Sequence, residues 1–203
     1  MSEQATAEPR RPGRPRSAES HQAILRSTLE LLLTEGLRGL SIEAVAQRAG
    51  VGKATIYRHW SSKEDLVAEA VSNLHAELPV PDTGSARGDF LELAEWLVAA
   101  AEQRGGGADV LSQLVAEASH DERLSEIFIA NLVEPRRRVA GRILERGIER
   151  GELRGDVDLE LMIDMLAGPN VYRALVMHES LRDVYSRAPA LFDALYQGLG
   201  PPD

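Results

Sequence analysis

The stretch from Ser41 to Trp60, Ser-Ile-Glu-Ala-Val-Ala-Gln-Arg-Ala-Gly-Val-Gly-Lys-Ala-Thr-Ile-Tyr-Arg-His-Trp, constrains this chain more than any other. Ser41 is a helix-capping residue type, and Ile42, Val45, Ala46 and Ala49 fall on one face at helical spacing. Gly50 to Lys53 reads as a turn. A further helix is predicted over Ala54–Trp60. Its Ile56 and Trp60 are four residues apart and face a core together, while Arg58 points roughly the other way. An amphipathic helix, a glycine-containing turn and a short helix with polar outer positions is the layout of a helix-turn-helix, whose second helix enters the DNA major groove.

The outer positions of that short helix carry suitable chemistry. Arg58 can donate two hydrogen bonds to guanine O6 and N7. Thr55 can hydrogen-bond a base or touch a thymine methyl. Tyr57 and His59 have the reach for phosphate oxygens, Lys53 and Ala54 sit at the tip, and Lys53 and Lys63 are charge contacts. The same shape also serves as an ordinary helical hairpin with solvated cations.

Charge distribution bears on this choice. The net charge is −9, yet residues 10–63 hold ten Lys/Arg against four Asp/Glu, and residues 64–203 hold 13 against 26. A basic head on an acidic body suits a phosphate-binding domain joined to one that does not bind nucleic acid. Residues 1–17 form a Pro- and Arg-rich arm with no periodicity, predicted to be disordered when free. Its Gly13-Arg14-Pro15-Arg16 resembles an AT-hook core, so Arg14 and Arg16 are candidates for an A·T-rich minor groove.

The rest reads as helices. Around the motif they are about Ala18–Glu35, ended by Gly36, and a helix to about Leu78 opened by the capping box Ser61-Ser62-Lys63-Glu64. Residues 79–85, rich in Pro and Gly, read as a boundary or linker. Helices follow over about 89–104, 109–119, 121–150 with a kink or split near Pro135, 159–178 with a disturbance at Gly168-Pro169, and 189–199. No alternating strand pattern or hairpin signal appears, so the fold class is all-α: a helix-turn-helix domain at 18–78 and a helical domain at 85–203.

Several function classes lack support. Cysteine is absent, which removes disulfides and thiolate metal sites and is compatible with a reducing cytoplasm. No apolar run is long enough to span a membrane, and the first 16 residues lack a secretory apolar region. His120-Asp121-Glu122 and His178-Glu179 diverge on a helix rather than converge on a metal. Gly105-Gly106-Gly107 is not a phosphate loop, since no strand precedes it. No hydrolase or metalloprotease motif is present, so neither an enzyme nor a cofactor is expected. Arg136-Arg137-Arg138 reads as a solvated, salt-bridged helix face.

Residues about 18–78 resemble the DNA-binding domain of the tetracycline-repressor (TetR) family. The resemblance is carried by Gly36, by Ser41 to Ala46, by Ala49-Gly50-Val51, by Lys53 to Trp60 and by Ser62 to Leu66. It implies that Ser41, Gly52, Lys53, Ala54, Thr55, Tyr57, Arg58 and His59 contact DNA and that Lys63 holds a backbone phosphate. Gly52 departs from a frequent serine and Trp60 from the more usual Phe. The stretches Arg150 to Leu153 and Leu161 to Pro169 resemble a common C-terminal subtype of the family.

The resemblance further implies a homodimer through the last two long helices, on a palindromic operator of double-stranded DNA. Leu161, Met165, Leu166, Leu191, Leu195 and Leu199 are candidate partner-facing residues. It also implies a pocket for a small-molecule effector whose binding lowers DNA affinity. Trp96, Phe128, Met162, Met165 and Tyr172 are candidate lining residues, and an apolar or amphipathic effector is expected. The expected function is a transcriptional repressor released by that effector. A constitutive DNA binder without effector, and a helical scaffold or enzyme using the motif only structurally, remain as alternatives.

Overall fold

The computed structural model describes residues 16–75, 78–104 and 108–199. Arg14 therefore lies outside the described residues, and Arg16 opens the first helix. The described residues form eleven α-helices and no strand. They are α1 (Arg16–Gly39), α2 (Ile42–Ala49), α3 (Lys53–Tyr57), α4 (Lys63–Ser72), α5 (Ala86–Arg104), α6 (Ala108–Ala118), α7 (Glu122–Phe128), α8 (Glu134–Glu149), α9 (Leu159–Leu175), α10 (Leu181–Tyr185) and α11 (Ala188–Leu199). A 3₁₀ turn at Asn73–His75 extends α4, and a π-helical turn at Ile129–Val133 joins α7 to α8.

Local chemistry explains most boundaries. Ser41 Oγ accepts from Ala44 N at 3.1 Å and caps α2, and Gly50 ends it at φ 67°, ψ 32°. The cap of α4 is Ser62, which accepts from Asp65 N at 3.0 Å, not Ser61 as the capping-box reading predicts. The one-residue shift keeps Trp60 and Leu66 both buried. The split near Pro135 is the π turn: Pro135 has no N–H to offer, and the chain takes a wider turn just before it. Pro169 leaves α9 continuous. Helix α10, capped by Ser180, has no counterpart in the sequence reading. Five residues are too few for periodicity to register.

Gly36 holds a backbone conformation that a residue with a side chain adopts only under strain. It interrupts α1 at φ 67°, ψ 175°, a region essentially restricted to glycine. A Cβ there would also stand 2.8 Å from Glu117 Oε2 of α6. Gly36→Ala should destabilise the protein by about 1–3 kcal/mol, read from urea unfolding midpoints. A midpoint equal to that of the parent would remove strain as the reason for glycine here.

Two large apolar cores result, with a small cluster of Ala174 and Val184 beside them. One joins α1 to α4 (Ile24, Leu32, Val45, Ile56, Leu66) with α6, α7 and the π turn (Leu114, Leu124, Leu132). The other packs α5, α8, α9 and α11 through Leu93, Ile143, Leu144, Met162 and Phe192. The helix-turn-helix therefore shares its core with the C-terminal helices. The segment read as a linker is pinned instead. Pro81 is buried, its carbonyl accepts from Arg146, and Thr83 N and Oγ1 donate to the buried Asp89 at 2.6 and 2.8 Å.

Candidate nucleic-acid interface and cavity

The motif's two short helices present one polar surface. Ile56 is fully buried and Trp60 nearly so, which fixes the rotation of α3. Tyr57, Arg58, Lys53, Ala54 and Gly52 are then exposed, and Thr55 is half-buried. The helix is shorter than Ala54–Trp60. It ends at Tyr57 with Arg58 as its C-cap, because the last turn tightens to an i→i−3 bond, His59 N to Ile56 O at 2.9 Å. Arg58 thus projects from the end of the helix rather than from its middle. Its guanidinium makes no hydrogen bond or ion pair to any described residue.

The other candidates are partly engaged. Lys53 Nζ donates to Glu43 Oε1 at 2.7 Å, which raises the ammonium's pKa and lowers that of the carboxyl, with both groups exposed. Lys63 Nζ donates to the Leu37 carbonyl at 2.7 Å and so ties α4 to the end of α1. His59 leans edge-on against His21, with ring centroids 5.6 Å apart. His21 stacks on Trp60 at 4.9 Å, and Glu69 accepts from Trp60 Nε1 while lying 2.7 Å from His21 Nε2. No sequence signal pointed to this His21–Trp60–Glu69 cluster, which braces the motif from behind.

The C-terminal helices line a half-open cavity of about 570 Å³, within the range of small-molecule sites. Its walls are largely apolar and come from α5 to α11, with Phe90, Leu97, Leu132, Leu166, Val184 and Phe192 among them. Of the five lining candidates only Phe128 borders it. Met162 is fully buried in the second core, and Met165 and Trp96 are half-buried away from the cavity. Tyr172 lies on the outer face of α9, 55% exposed. Tyr172 shares the helical phase of Leu161, and that spacing is the signal that places it outside.

Leu166 and Leu191, read as partner-facing, line the cavity instead. Leu161 is exposed on the same stripe of α9 as Pro169 and Tyr172, which the exposed C-cap Val176 continues, while the exposed Gly168 borders the cavity. Met165 and Leu195 are half-buried and packed on the second core, and the side chain of Leu199 is not described.

The arginine run divides. Arg137 pairs with Glu160 and with Asp164, the latter at 2.6 Å, as a salt-bridged face should. Arg136 turns inward and lines the cavity, with its Nε buried and unbonded. Burial pushes the pKa of Arg136 down and that of the nearby Tyr185 phenol up. No helix is long and apolar enough to cross a membrane, and no cluster of metal-ligating side chains occurs, among the described residues.

Comparison with known proteins agrees with this architecture. Residues 24–70 match the model of bacterial regulatory proteins of the tetR family. Residues 80–190 match a tetracyclin repressor-like C-terminal domain. The HTH-type transcriptional regulator YdeS of Bacillus subtilis is 39% identical over 86% of this chain and 88% of its own. A DNA-binding transcriptional repressor TetR of Mycobacteroides abscessus is 32% identical over 75% of this chain and 78% of its own. The crystal structure of the TetR family transcription regulator SCO0332 superposes with a TM-score of 0.61 at 32% identity, covering 90% of this chain and all of that one. With the polar face of α3 set on a buried Ile56 and Trp60, and with both halves of the chain matched, this protein belongs to the tetracycline-repressor family of helix-turn-helix transcriptional regulators.

Proposed function

We propose that this regulator is a homodimeric repressor that reads a palindromic operator through α3 and leaves it when a small molecule fills the C-terminal cavity. The observation that carries the reading is the unpaired, exposed Arg58 beside Tyr57, held in place by two buried anchors. Arg58 reads guanine, Thr55 and Ala54 approach base edges, and Tyr57 and His59 reach phosphates. The backbone at Gly52 approaches the sugar-phosphate chain, and the Ser41 hydroxyl has its proton free while its oxygen caps α2. Lys53 exchanges Glu43 for a phosphate on binding, and Lys63 exchanges the Leu37 carbonyl. Arg14 of the arm, with Arg16 at the start of α1, adds minor-groove contacts.

A second copy of the chain supports the palindrome. The exposed stripe Leu161 and Tyr172 on α9 with its C-cap Val176, together with Tyr196 on α11, is the face on which two copies pack. Such a regulator works in the cytoplasm, where its operator is.

Coupling follows from the shared core. Leu132 and Phe128 border the cavity and also pack with Leu66 and Val67 of α4. Helix α4 continues from α3 through residues 58–62. A ligand that fits only when this wall shifts moves α4, and the spacing of the two α3 helices in the dimer changes. Members of this family bind DNA through the matched N-terminal domain and carry ligand-binding C-terminal domains.

The test is selection from fragmented genomic DNA with purified protein at near-physiological salt, followed by sequencing. A short palindrome is expected. Arg58→Ala should weaken binding to that site by about 1–3 kcal/mol while leaving sequence-independent binding nearly unchanged. Recovery of only salt-sensitive, sequence-independent fragments counts against a specific regulator.

A further inference from the structure

The cavity carries one feature that an apolar effector leaves unexplained. Among its described lining residues, Arg137 and Asp164 neutralise each other, and Asn170 Nδ2 donates to the Leu166 carbonyl at 3.0 Å. Arg136 alone brings a charge with no counterion. Its Nε is sealed from solvent without a hydrogen-bond partner, and Tyr185 lines the cavity close enough to interact with it. A half-buried guanidinium with a sealed, unpaired Nε and no counterion costs stability in the empty protein. A fold that needed only to fill this space would place a Leu or Met there.

We propose that the effector is an amphipathic anion, an apolar body with one carboxylate-like head, and that the head is bound by the Arg136 guanidinium with the Tyr185 hydroxyl as second donor. This rests on the reading of the cavity as the effector site and specifies its ligand. The geometry fits: apart from the already paired Arg137, Asp164 and Asn170, the rest of the wall is apolar, with Phe90, Leu97, Val115 and Phe192 among it, so the body needs no polar partner. A carboxylate accepts two parallel hydrogen bonds from a guanidinium, and the apolar surroundings strengthen that pair. The position also couples to DNA binding. Arg136 sits in the first turn of α8, immediately after the π turn whose Leu132 packs against α4. An anion drawing on Arg136 therefore acts on the cavity wall that reaches the reading head.

The experiment uses the full chain and matched probe pairs that differ only at the head: octanoate and dodecanoate against the corresponding primary alcohols, and 2-naphthoate against 2-naphthalenemethanol. Binding is followed by titration calorimetry near neutral pH. At least one carboxylate is expected to bind the parent protein tenfold or more tighter than its alcohol. In Arg136→Met that ratio should collapse towards one, and the ligand-free variant should melt at a higher temperature than the parent, since an unpaired, half-buried charge has gone. Tyr185→Phe, which keeps the ring, should reduce the ratio without removing it.

Equal binding of acid and alcohol by the parent, or a preference that survives Arg136→Met, overturns the anionic head and leaves the effector cavity standing. Failure of every probe of either kind to bind would overturn both. A lower melting temperature for Arg136→Met would mean that Arg136 is a structural residue, and would overturn its assignment as an anchor awaiting a ligand.

Discussion

Trp60→Ala should cost about 3–5 kcal/mol of stability and take operator binding with it. Trp60 is 3% exposed, packs in the core of α1 to α4, stacks on His21 and donates to Glu69. Its loss leaves a large cavity directly beneath α3, and the rotation that exposes Arg58 and Tyr57 is no longer fixed. Trp60→Phe separates packing from hydrogen bonding. The ring remains, and Glu69, whose side chain is 46% exposed, turns to water for its lost donor. The cost should then be about 1 kcal/mol, with operator binding kept. Guanidinium unfolding together with a DNA titration reads both. A Trp60→Ala protein of parental stability would mean that the motif does not depend on this anchor.

The second large effect is expected at Asp89, whose side chain is wholly buried where the 79–85 segment, α5 and α8 meet. Arg146 reaches it at 3.0 Å and Arg150 at 3.4 Å, alongside both donors of Thr83. Burial alone raises its pKa. The Thr83 hydrogen bonds and the two guanidinium groups outweigh that and hold the carboxyl below the ordinary carboxylate range. Asp89→Ala leaves Thr83 N without an acceptor and strips Arg146 and Arg150 of their buried counterion, leaving them the exposed Asp82 at 3.6 and 3.7 Å, a loss of about 3 kcal/mol.

The sign of the pH dependence follows. The folded-state pKa is depressed, so the carboxylate's contribution is fully present above the unfolded value of about 4. It is lost as pH falls through the lower folded value. Thermal melts of parent and Asp89→Asn should therefore converge as the solution is acidified below about pH 4. A stability gap that stays constant down to pH 2 would show that the charge of Asp89 is not what holds the segment.

Capping chemistry made much of the reading head legible in advance. Ser41 and Gly50 bound α2 as their residue types demand, and Ile56 and Trp60 point inward because four residues make about one turn. The places where the reading slipped share one cause. Ser61 and Ser62 each begin a plausible cap, and only the joint burial of Trp60 and Leu66 decides between them. Arg136 and Arg137 are neighbours about 100° apart on one helix. Which of them meets solvent depends on how α8 is rotated against α9 and α10, a tertiary fact. Met162 was grouped with cavity residues by its softness, yet the phase of α9 sends it into the second core. Residue type suggested what could line a site, and packing phase selected which residues did.

The continuous core across α1, α4, α6 and α7 bears on how such proteins can diversify. A reading head that buried its apolar surface alone could be exchanged between relatives like a cartridge. Here Leu66, Val67 and Val71 of the head share one core with Leu114, Leu124 and Leu132 of the body. A new operator specificity can arise from the exposed positions of α3 alone. A transplanted head brings with it half of a core, and the faces of α6 and α7 must change in step to receive it. Inheritance in this chain is thus modular at the surface that meets DNA and joint everywhere beneath it.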